Sequence, residues 1–221
     1  IAAKLARTKV IEHVHDPRYE PKDFLLSRGL PLNRHDQAKY FAKLSDRIIV
    51  LTKANEDYLY RYKIAPSTKV RRQLNGINLK SLTYPPREQV LKEFDIPVSK
   101  RIISSVLRLS IEKNAKMILD VAELVKNDNP SAYFIIAGDG PQRLELQQEI
   151  SGRGLEPFVK LIGYYPYILE LLSVSDAFIL PTLRELHSIS MIEAMSMKVP
   201  VLVSQGAGCN DEFINHGYDG F

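Results

Sequence analysis

The stretch Ala177-Phe-Ile-Leu-Pro-Thr-Leu-Arg-Glu-Leu-His-Ser-Ile-Ser-Met-Ile-Glu193 contains the pattern that decides the fold. Its apolar run, residues 177–180, is typical of a short buried strand and is stopped by Pro181. Beyond the turn, apolar residues recur at near-helical spacing from Ile189 to Val199. Unpaired N–H groups and the helix dipole make a helix N-terminus attractive to anions. A strand, a turn and a helix in this order therefore predict an anion site at the helix start.

Two carboxylates, Glu185 and Glu193, lie on either side of this turn. They cannot bind the anion itself, but they suit neutral hydroxyl groups on either side of it, as in a sugar–diphosphate–nucleoside. The alternative interpretation is structural: Ser190 and Glu193 form a capping box, and Glu185 is a solvated loop acid. Taken alone, the stretch favours this structural alternative.

Outward from this stretch, short apolar runs alternate with helical patterns through the C-terminal half of the chain. The runs that predict strands are residues 102–106, 133–137, 159–162, 177–180 and 199–203. Near-continuous apolar strands indicate a sheet that is covered on both faces, as parallel sheets are. We therefore predict a doubly wound α/β domain, with a Rossmann-like parallel sheet, over residues 99–221.

The N-terminal half has the same alternation, with strand-like runs at residues 8–14, 48–51 and 69–74. Tyr84-Pro-Pro86 interrupts the pattern, and the charged segment that follows contains two further helix breakers. We therefore predict an N-terminal unit over residues 1–83, a linker over 84–98 and a second unit over 99–221.

Composition excludes several classes of protein. Apolar residues make up 45% and charged residues 25% of the 221 residues, which is typical of soluble globular proteins. No apolar run approaches the roughly 20 residues that a transmembrane helix needs. The net charge is +4, but Lys and Arg are spread along the chain without a basic stripe, so we expect no nucleic-acid partner. The single cysteine, Cys209, excludes an internal disulfide and fits a reducing compartment.

Polar residues and glycines follow the predicted strands, at the edge where open α/β sheets bind ligands. Arg108 and Lys113 come after the first strand of the second unit, and Glu185 comes after the fourth. Two cations beside a helix N-terminus would neutralise a diphosphate without a metal. The alternative for the two cations is ordinary surface charge.

A metal site has no obvious ligands in the sequence. No Asp-x-Asp pair occurs, and neither Cys209 nor the five histidines have the spacing of metal ligands. We therefore expect no metal and no cofactor. Gly138-Asp-Gly140 and Gly163 also follow strands, but short glycine motifs are weak, and a simple turn is the alternative.

In their order along the chain, these motifs resemble the retaining GT-B glycosyltransferases of family 4, which use nucleotide-activated sugars. In the second unit the resemblance rests on Arg108–Lys113, Ala137–Pro141, Leu161–Gly163, Ser175–Pro181, Glu185–Met195, Val199–Val201 and Gly208–Glu212. In the first unit it rests on His15-Asp16, Ser45–Thr52 and Asn75–Asn78, which resemble the second half of that family's N-terminal domain. The resemblance covers nearly the whole chain and implies a GT-B fold, with the second half of a Rossmann-like N-terminal domain before the nucleotide-sugar domain.

The resemblance also implies roles for single residues. Arg108 and Lys113 would contact the donor diphosphate, and Glu193 would hold ribose hydroxyls. Glu185 would reach hydroxyls of the transferred sugar, and His15 would face the reacting sugar from the other domain, so these two are the predicted catalytic residues. The alternative for His15 is a packed histidine at a strand end. The loop after Gly163 would line the nucleobase. The predicted donor-binding residues also include Gly138, Gly140, Gly163, His187, Ser188 and Ile189.

Three positions depart from the family pattern. Leu186 stands where the family usually has glycine, whose missing Cβ frees the backbone to approach phosphate. Leu74 stands where proline usually precedes the Asn-Gly pair, and Lys198 stands where a small residue is common.

The resemblance implies transfer of a sugar from a nucleotide-sugar to a glycan or lipid acceptor with retention of configuration, in polysaccharide or glycolipid biosynthesis. We expect a cytoplasmic location, which leaves open peripheral association with the inner face of the membrane. Complete enzymes of this family have further βα units upstream and a closing helix downstream, so we expect a fragment truncated at both ends and inactive alone. Two alternatives stay open: a non-catalytic nucleotide-binding α/β module, and a phosphorylase or epimerase on the same architecture.

Overall fold

The computed structural model describes residues 9–14, 34–78, 83–207 and 210–221. Contacts within the chain divide it into two units, residues 1–75 and 76–221. No helix among the described residues is long and apolar enough to cross a bilayer.

The first unit is a small parallel sheet with helices between its strands. Its described elements are β1 (Ile11–Val14), α1 (Arg34–Leu44), β2 (Arg47–Val50), α2 (Lys53–Arg61) and β3 (Val70–Arg72). The strands pair in parallel in the order β1-β2-β3. Ile48 and Val50 of β2 are buried against Leu59 of α2 and Val70 of β3, so the apolar alternation of the central strand forms this core.

The second unit follows with alternating helices and strands. Its elements are α3 (Arg87–Glu93), β4 (Arg101–Val106), a 3-10 helix (Ile111–Lys113), α4 (Lys116–Val125), β5 (Ala132–Ala137), α5 (Arg143–Gly152), β6 (Val159–Gly163), α6 (Ile168–Ser173), β7 (Ala177–Leu180), α7 (Ile189–Ser196), β8 (Val201–Val203) and α8 (Asn210–Phe213). The five strands are parallel and lie in the order β6-β5-β4-β7-β8. The first strand of this unit, β4, is therefore central.

This strand order confirms the predicted doubly wound sheet. Successive residues of β5 point to opposite faces, as the pleat of a strand requires. Phe134 and Ile136 pack in one apolar cluster with Phe178, whereas Tyr133 and Ile135 pack in another. A core on each face explains why the strands are nearly continuous apolar runs.

The segment predicted as a linker, residues 84–98, contains α3. Val90 and Leu91 of this helix are fully buried in the cluster that includes Ile102 and Ile135 of the second sheet. The helix starts after Pro86, because a proline has no N–H to lose at a helix start. The contact boundary lies earlier, between Asn75 and Gly76, so α3 is part of the second unit.

Candidate functional site

The strand order creates one topological switch point, between β4 and β7. From β4 the chain proceeds outward through β5 to β6, and it then returns to pair β7 with the other side of β4. Ligands of open α/β sheets bind at such a point, beyond the carboxyl ends of the strands. The loop after β4 carries Lys113, and the loop after β7 carries Glu185, so both predicted residues reach this point.

Hydrogen bonds join these two loops. The Leu183 N–H donates to the Glu112 carbonyl oxygen at 2.8 Å, and the buried Thr182 hydroxyl lies 3.0 Å from the same oxygen. These bonds hold the start of the β7 loop against the 3-10 helix that ends at Lys113. Sequence reasoning missed Thr182, although a hydroxyl that directly follows an apolar strand and a proline could have indicated such a bond.

Lys113 and Glu185 form an ion pair at the switch point. The Lys113 Nζ donates to the Glu185 Oε2 at 2.7 Å, and the two side chains are 24% and 10% exposed. The Leu186 N–H donates to the other carboxylate oxygen at 3.1 Å. Glu185 is therefore a buried, paired acid, and the interpretation of a solvated loop acid is wrong. The interpretation of Lys113 as an ordinary surface charge is also wrong, because most of its side chain is buried and its ammonium is paired with Glu185.

The capping-box interpretation of Ser190 and Glu193 is also wrong. The N-cap of α7 is Ser188, whose Oγ accepts a hydrogen bond from the Met191 N–H at 3.3 Å. The Ser190 hydroxyl instead donates to the Val106 carbonyl oxygen at 2.9 Å. A capping box needs its acid at the third helical position, which Met191 occupies, so Glu193 lies too far into the helix.

Glu193 is a half-buried carboxylate in the middle of α7. Burial raises its pKa above the ordinary glutamate value, because desolvation disfavours the charged form. Within the described parts of the chain, we find no hydrogen bond or ion pair to its side chain. This acid can accept hydrogen bonds from ligand hydroxyls.

The residues that precede α7 are packed rather than exposed. His187 and Ser188 are buried, and the His187 ring packs on Phe213 with ring centroids 4.4 Å apart. Burial lowers the pKa of His187, although the charges of Glu185 and Glu212 oppose this shift. Burial therefore favours the neutral form of this imidazole. Ile189, the first helical residue, is half exposed.

Two of the three predicted glycines, Gly138 and Gly140, pack against backbone, whereas a Cβ at Gly163 would lie 2.7 Å from the Arg143 guanidinium. A Cβ at Gly138 would lie 1.8 Å from the Leu107 carbonyl oxygen, and one at Gly140 would lie 2.4 Å from that of Leu109. Gly138 also has φ +138°, and its N–H donates to the Gly163 carbonyl oxygen at 2.7 Å. The close approach that requires glycine is thus between two strand-end loops of the protein itself.

Arg108 lies on a cavity of about 390 Å³ at the ends of β4 and β5. The cavity is lined by Val106, Leu107, Arg108, Ala137, Gly138, Asp139, Tyr164, Tyr165, Pro166 and Ile168. The Tyr165 hydroxyl donates to the Glu93 carboxylate at 3.1 Å, and burial, together with this neighbour, raises the pKa of Tyr165. The loop after Gly163, which sequence analysis predicted to line a nucleobase, forms one wall. The run Tyr164-Tyr165 is a signal that sequence reasoning did not use.

Among the motifs that carry the family resemblance, His15-Asp16 lies outside the described residues, as do Gly208 and Cys209, the first two residues of Gly208–Glu212. Among the described residues, no three His, Cys, Asp or Glu side chains cluster as metal ligands.

Known proteins resemble this chain over the same elements. A sequence model of the family described as glycosyl transferases group 1 matches residues 86–221. The alpha-D-kanosaminyltransferase of Streptomyces kanamyceticus is 27% identical over 167 residues, which is 74% of this chain and 43% of that protein. The UDP-Gal:alpha-D-GlcNAc-diphosphoundecaprenol alpha-1,3-galactosyltransferase of Escherichia coli is 26% identical over 227 residues, which is 100% of this chain and 58% of that protein.

Among solved structures, Anabaena Alr3699/HepE in complex with UDP-glucose superposes with a TM-score of 0.80 at 22% identity. The match covers 100% of this chain and 59% of that one. The described α/β architecture is therefore of the GT-B type. The chain spans about half the length of the relatives it matches.

Proposed function

The chain belongs to the glycosyl transferases group 1 family, and from this we propose that it transfers a sugar from a nucleotide-sugar to a glycan or lipid acceptor with retention of configuration. The observation that carries the proposal is the pairing of Lys113 with Glu185 at 2.7 Å, at the switch point of the second sheet. A cation for a diphosphate and an acceptor for sugar hydroxyls lie side by side there.

We propose a partner in the second unit for each part of the donor. We propose that the base occupies the cavity at Arg108 and Tyr165, and that Glu193 accepts hydrogen bonds from the ribose hydroxyls. The diphosphate would meet Arg108, Lys113 and the N-terminus of α7, which is eight residues long. Glu185 would accept hydrogen bonds from the transferred sugar.

The chemical role of this arrangement is to stabilise the leaving group. When the bond from the sugar to the diphosphate breaks, the diphosphate oxygen keeps the electron pair and gains negative charge. Fixed donors and cations aimed at developing charge often lower an enzymatic barrier more than any other single effect. We propose Arg108 and Lys113 for this role, with no metal, and we propose His15 as the residue that faces the reacting sugar, from the family resemblance alone.

Relatives support the proposed substrate and location. HepE holds UDP-glucose, and the Escherichia coli relative is named for UDP-Gal and a diphosphoundecaprenol-linked acceptor. We propose a hexosyl donor of the UDP type and an acceptor in polysaccharide or glycolipid synthesis, at the inner face of the cytoplasmic membrane. The 221 residues by themselves are proposed to bind the donor without transferring its sugar, because they span only 43% and 58% of the two relatives described above.

Calorimetric titration with UDP tests the proposal. Lys113→Gln should weaken UDP binding about tenfold, or about 1.4 kcal/mol, because a charge-assisted bond to phosphate is lost. The matched control is Lys39→Gln at an exposed position of the first unit, which should leave affinity unchanged. Titration with a chelator should give the same affinity as titration without it. Absence of UDP binding by the unaltered chain would contradict the proposal.

A further inference from the structure

The Lys113–Glu185 pair joins two residues that the proposed function assigns to different parts of the donor. Lys113 is proposed to bind the diphosphate, yet its ammonium already donates to Glu185 at 2.7 Å. Both side chains are largely shielded from water, with 24% and 10% exposure. Attraction between opposite charges is stronger there than at an exposed surface. An anionic ligand must therefore share this ammonium with Glu185 or take it away.

Glu185 is the fixed partner of the pair. Its own N–H donates to the Ala207 carbonyl oxygen, and its second carboxylate oxygen accepts from the Leu186 N–H at 3.1 Å. The neighbouring Leu183 N–H is bonded to the Glu112 carbonyl oxygen. These bonds hold the acid in place when a ligand arrives.

Lys113 is the adaptable partner. A lysine side chain is a flexible four-carbon stem that carries three rotatable donors. Among the described residues, the only hydrogen bond of its ammonium is the one to Glu185. It can therefore turn toward a diphosphate, but at the expense of its bond to a buried carboxylate.

From this geometry we infer that Glu185 competes with the bound diphosphate for Lys113 and thereby promotes release of the nucleoside diphosphate after transfer. The inference rests on the proposed function. In the intact nucleotide-sugar, sugar hydroxyls can donate to Glu185 and compensate for the lost bond. After transfer those hydroxyls are gone, and the diphosphate carries one more negative charge beside the carboxylate. Glu185 then favours the state in which the nucleoside diphosphate has left and Lys113 is paired with Glu185 again.

The decisive variant is Glu185→Gln, which keeps the shape of the side chain and removes its charge. We expect it to bind UDP about tenfold more tightly, or about 1.4 kcal/mol, and to bind UDP-glucose no more tightly than the unaltered chain. Uridine, which lacks the diphosphate, should bind both proteins equally. The matched control is Glu88→Gln at an exposed position of α3, which should change none of these affinities.

A double-mutant cycle tests whether the effect runs through Lys113. Lys113→Gln should weaken UDP binding. In the Lys113→Gln background, Glu185→Gln should then produce little or none of the increase in UDP affinity that it produces in the unaltered chain. An equal gain in both backgrounds would overturn the inference, because Glu185 would then act on the ligand without Lys113. In stopped-flow displacement, the tighter UDP binding of Glu185→Gln should appear as slower dissociation of UDP.

The outcomes separate the inference from the proposed function. If the unaltered chain binds UDP but Glu185→Gln binds it equally or more weakly, the competition is overturned while nucleotide binding stands. If the unaltered chain does not bind UDP, the proposed function itself fails. Glu185→Ala, which removes the carboxylate without offering an amide to Lys113, guards against a misfolded variant and must shift UDP affinity in the same direction.

Discussion

At the scale of single residues, Glu193 combines a stability cost with a proposed role in binding. Burial raises its pKa, and its side chain makes no hydrogen bond or ion pair within the described residues. The folded-state pKa thus lies above the unfolded value. The contribution of Glu193 to stability is therefore fully present below the unfolded pKa and is lost as pH rises through the folded pKa. The cost of burying this charged carboxylate is offset only when a ligand donates a hydrogen bond to it.

We therefore expect Glu193→Gln to raise the stability of the ligand-free chain at pH 7 and to weaken UDP binding about tenfold, since charged hydrogen bonds are roughly twice as strong as neutral ones. Thermal denaturation and calorimetry measure the two effects. The exposed Glu88→Gln serves as control for both. A loss of stability with unchanged UDP affinity would show that Glu193 has a structural role instead.

His187 has the opposite dependence on pH. Burial lowers its pKa from the ordinary value of 6.5, so the unfolded chain binds more protons there than the folded one. Stability should therefore fall as pH drops below about 6.5. Urea unfolding measures this change: between pH 7.5 and 5.5, the free energy of unfolding should fall less for His187→Phe than for the unaltered chain. For the control His216→Phe, at an exposed position, the free energy of unfolding should fall by as much as it does for the unaltered chain.

At the scale of elements, Arg87 attaches α3 to the sheet of the second unit. Its guanidinium donates to the Asp176 carboxylate at 3.0 Å, to the Lys100 carbonyl oxygen at 2.8 Å and to that of Val174. Asp176 also accepts from the Ile102 N–H at 2.8 Å. The Arg87–Asp176 ion pair thus joins α3 to the amino ends of β4 and β7, the two strands between which the switch point lies.

Arg87→Met should destabilise the chain by about 2 kcal/mol, because it leaves part-buried acceptors without their charged donor. Arg101 offers a matched comparison, since it also pairs with Asp176 at 3.0 Å but is 71% exposed, against 33% for Arg87. Arg101→Met should cost under about 1 kcal/mol, as exposed ion pairs do. Urea unfolding measures both changes, and equal losses would contradict the role given to Arg87.

At the scale of the whole molecule, the second unit contains all the described residues proposed to bind the donor. Both apolar clusters of the five-stranded sheet also lie within residues 76–221, including the contribution from α3. Each face of this sheet is therefore covered by residues of the same unit. Among the described residues, the proposed donor site therefore lies on an apolar core that its own unit forms.

Residues 76–221 expressed without residues 1–75 should fold cooperatively and bind UDP within about threefold of the affinity of the whole chain, a difference of under about 0.7 kcal/mol. Denaturant unfolding followed by two probes tests cooperativity, and calorimetry tests binding. A shorter version that starts at residue 99 lacks α3 and should unfold more readily, since Val90 and Leu91 are fully buried. Equal stability of the two versions would show that α3 contributes nothing.

The sequence by itself determined the class of fold and the edge of the sheet where the candidate site lies. Apolar runs such as residues 177–180 have the length and composition of buried parallel strands, and this pattern is local. Because polar residues such as Lys113 and Glu185 directly follow strands, the alternation of elements also placed them at the carboxyl ends. The motifs of the family, taken in order, predicted the kind of protein to which the chain belongs.

Only the tertiary structure decided which side chains meet. Lys113 and Glu185 are 72 residues apart in the chain, and they pair because β7 returns to the free side of β4. Helix α7 begins after Ser188, whose hydroxyl accepts from the Met191 N–H, whereas the Ser190 hydroxyl donates to the carbonyl oxygen of Val106, a residue 84 positions away. Local patterns carry periodicity and propensity, whereas these contacts depend on the order of strands in the sheet, which no local pattern specifies.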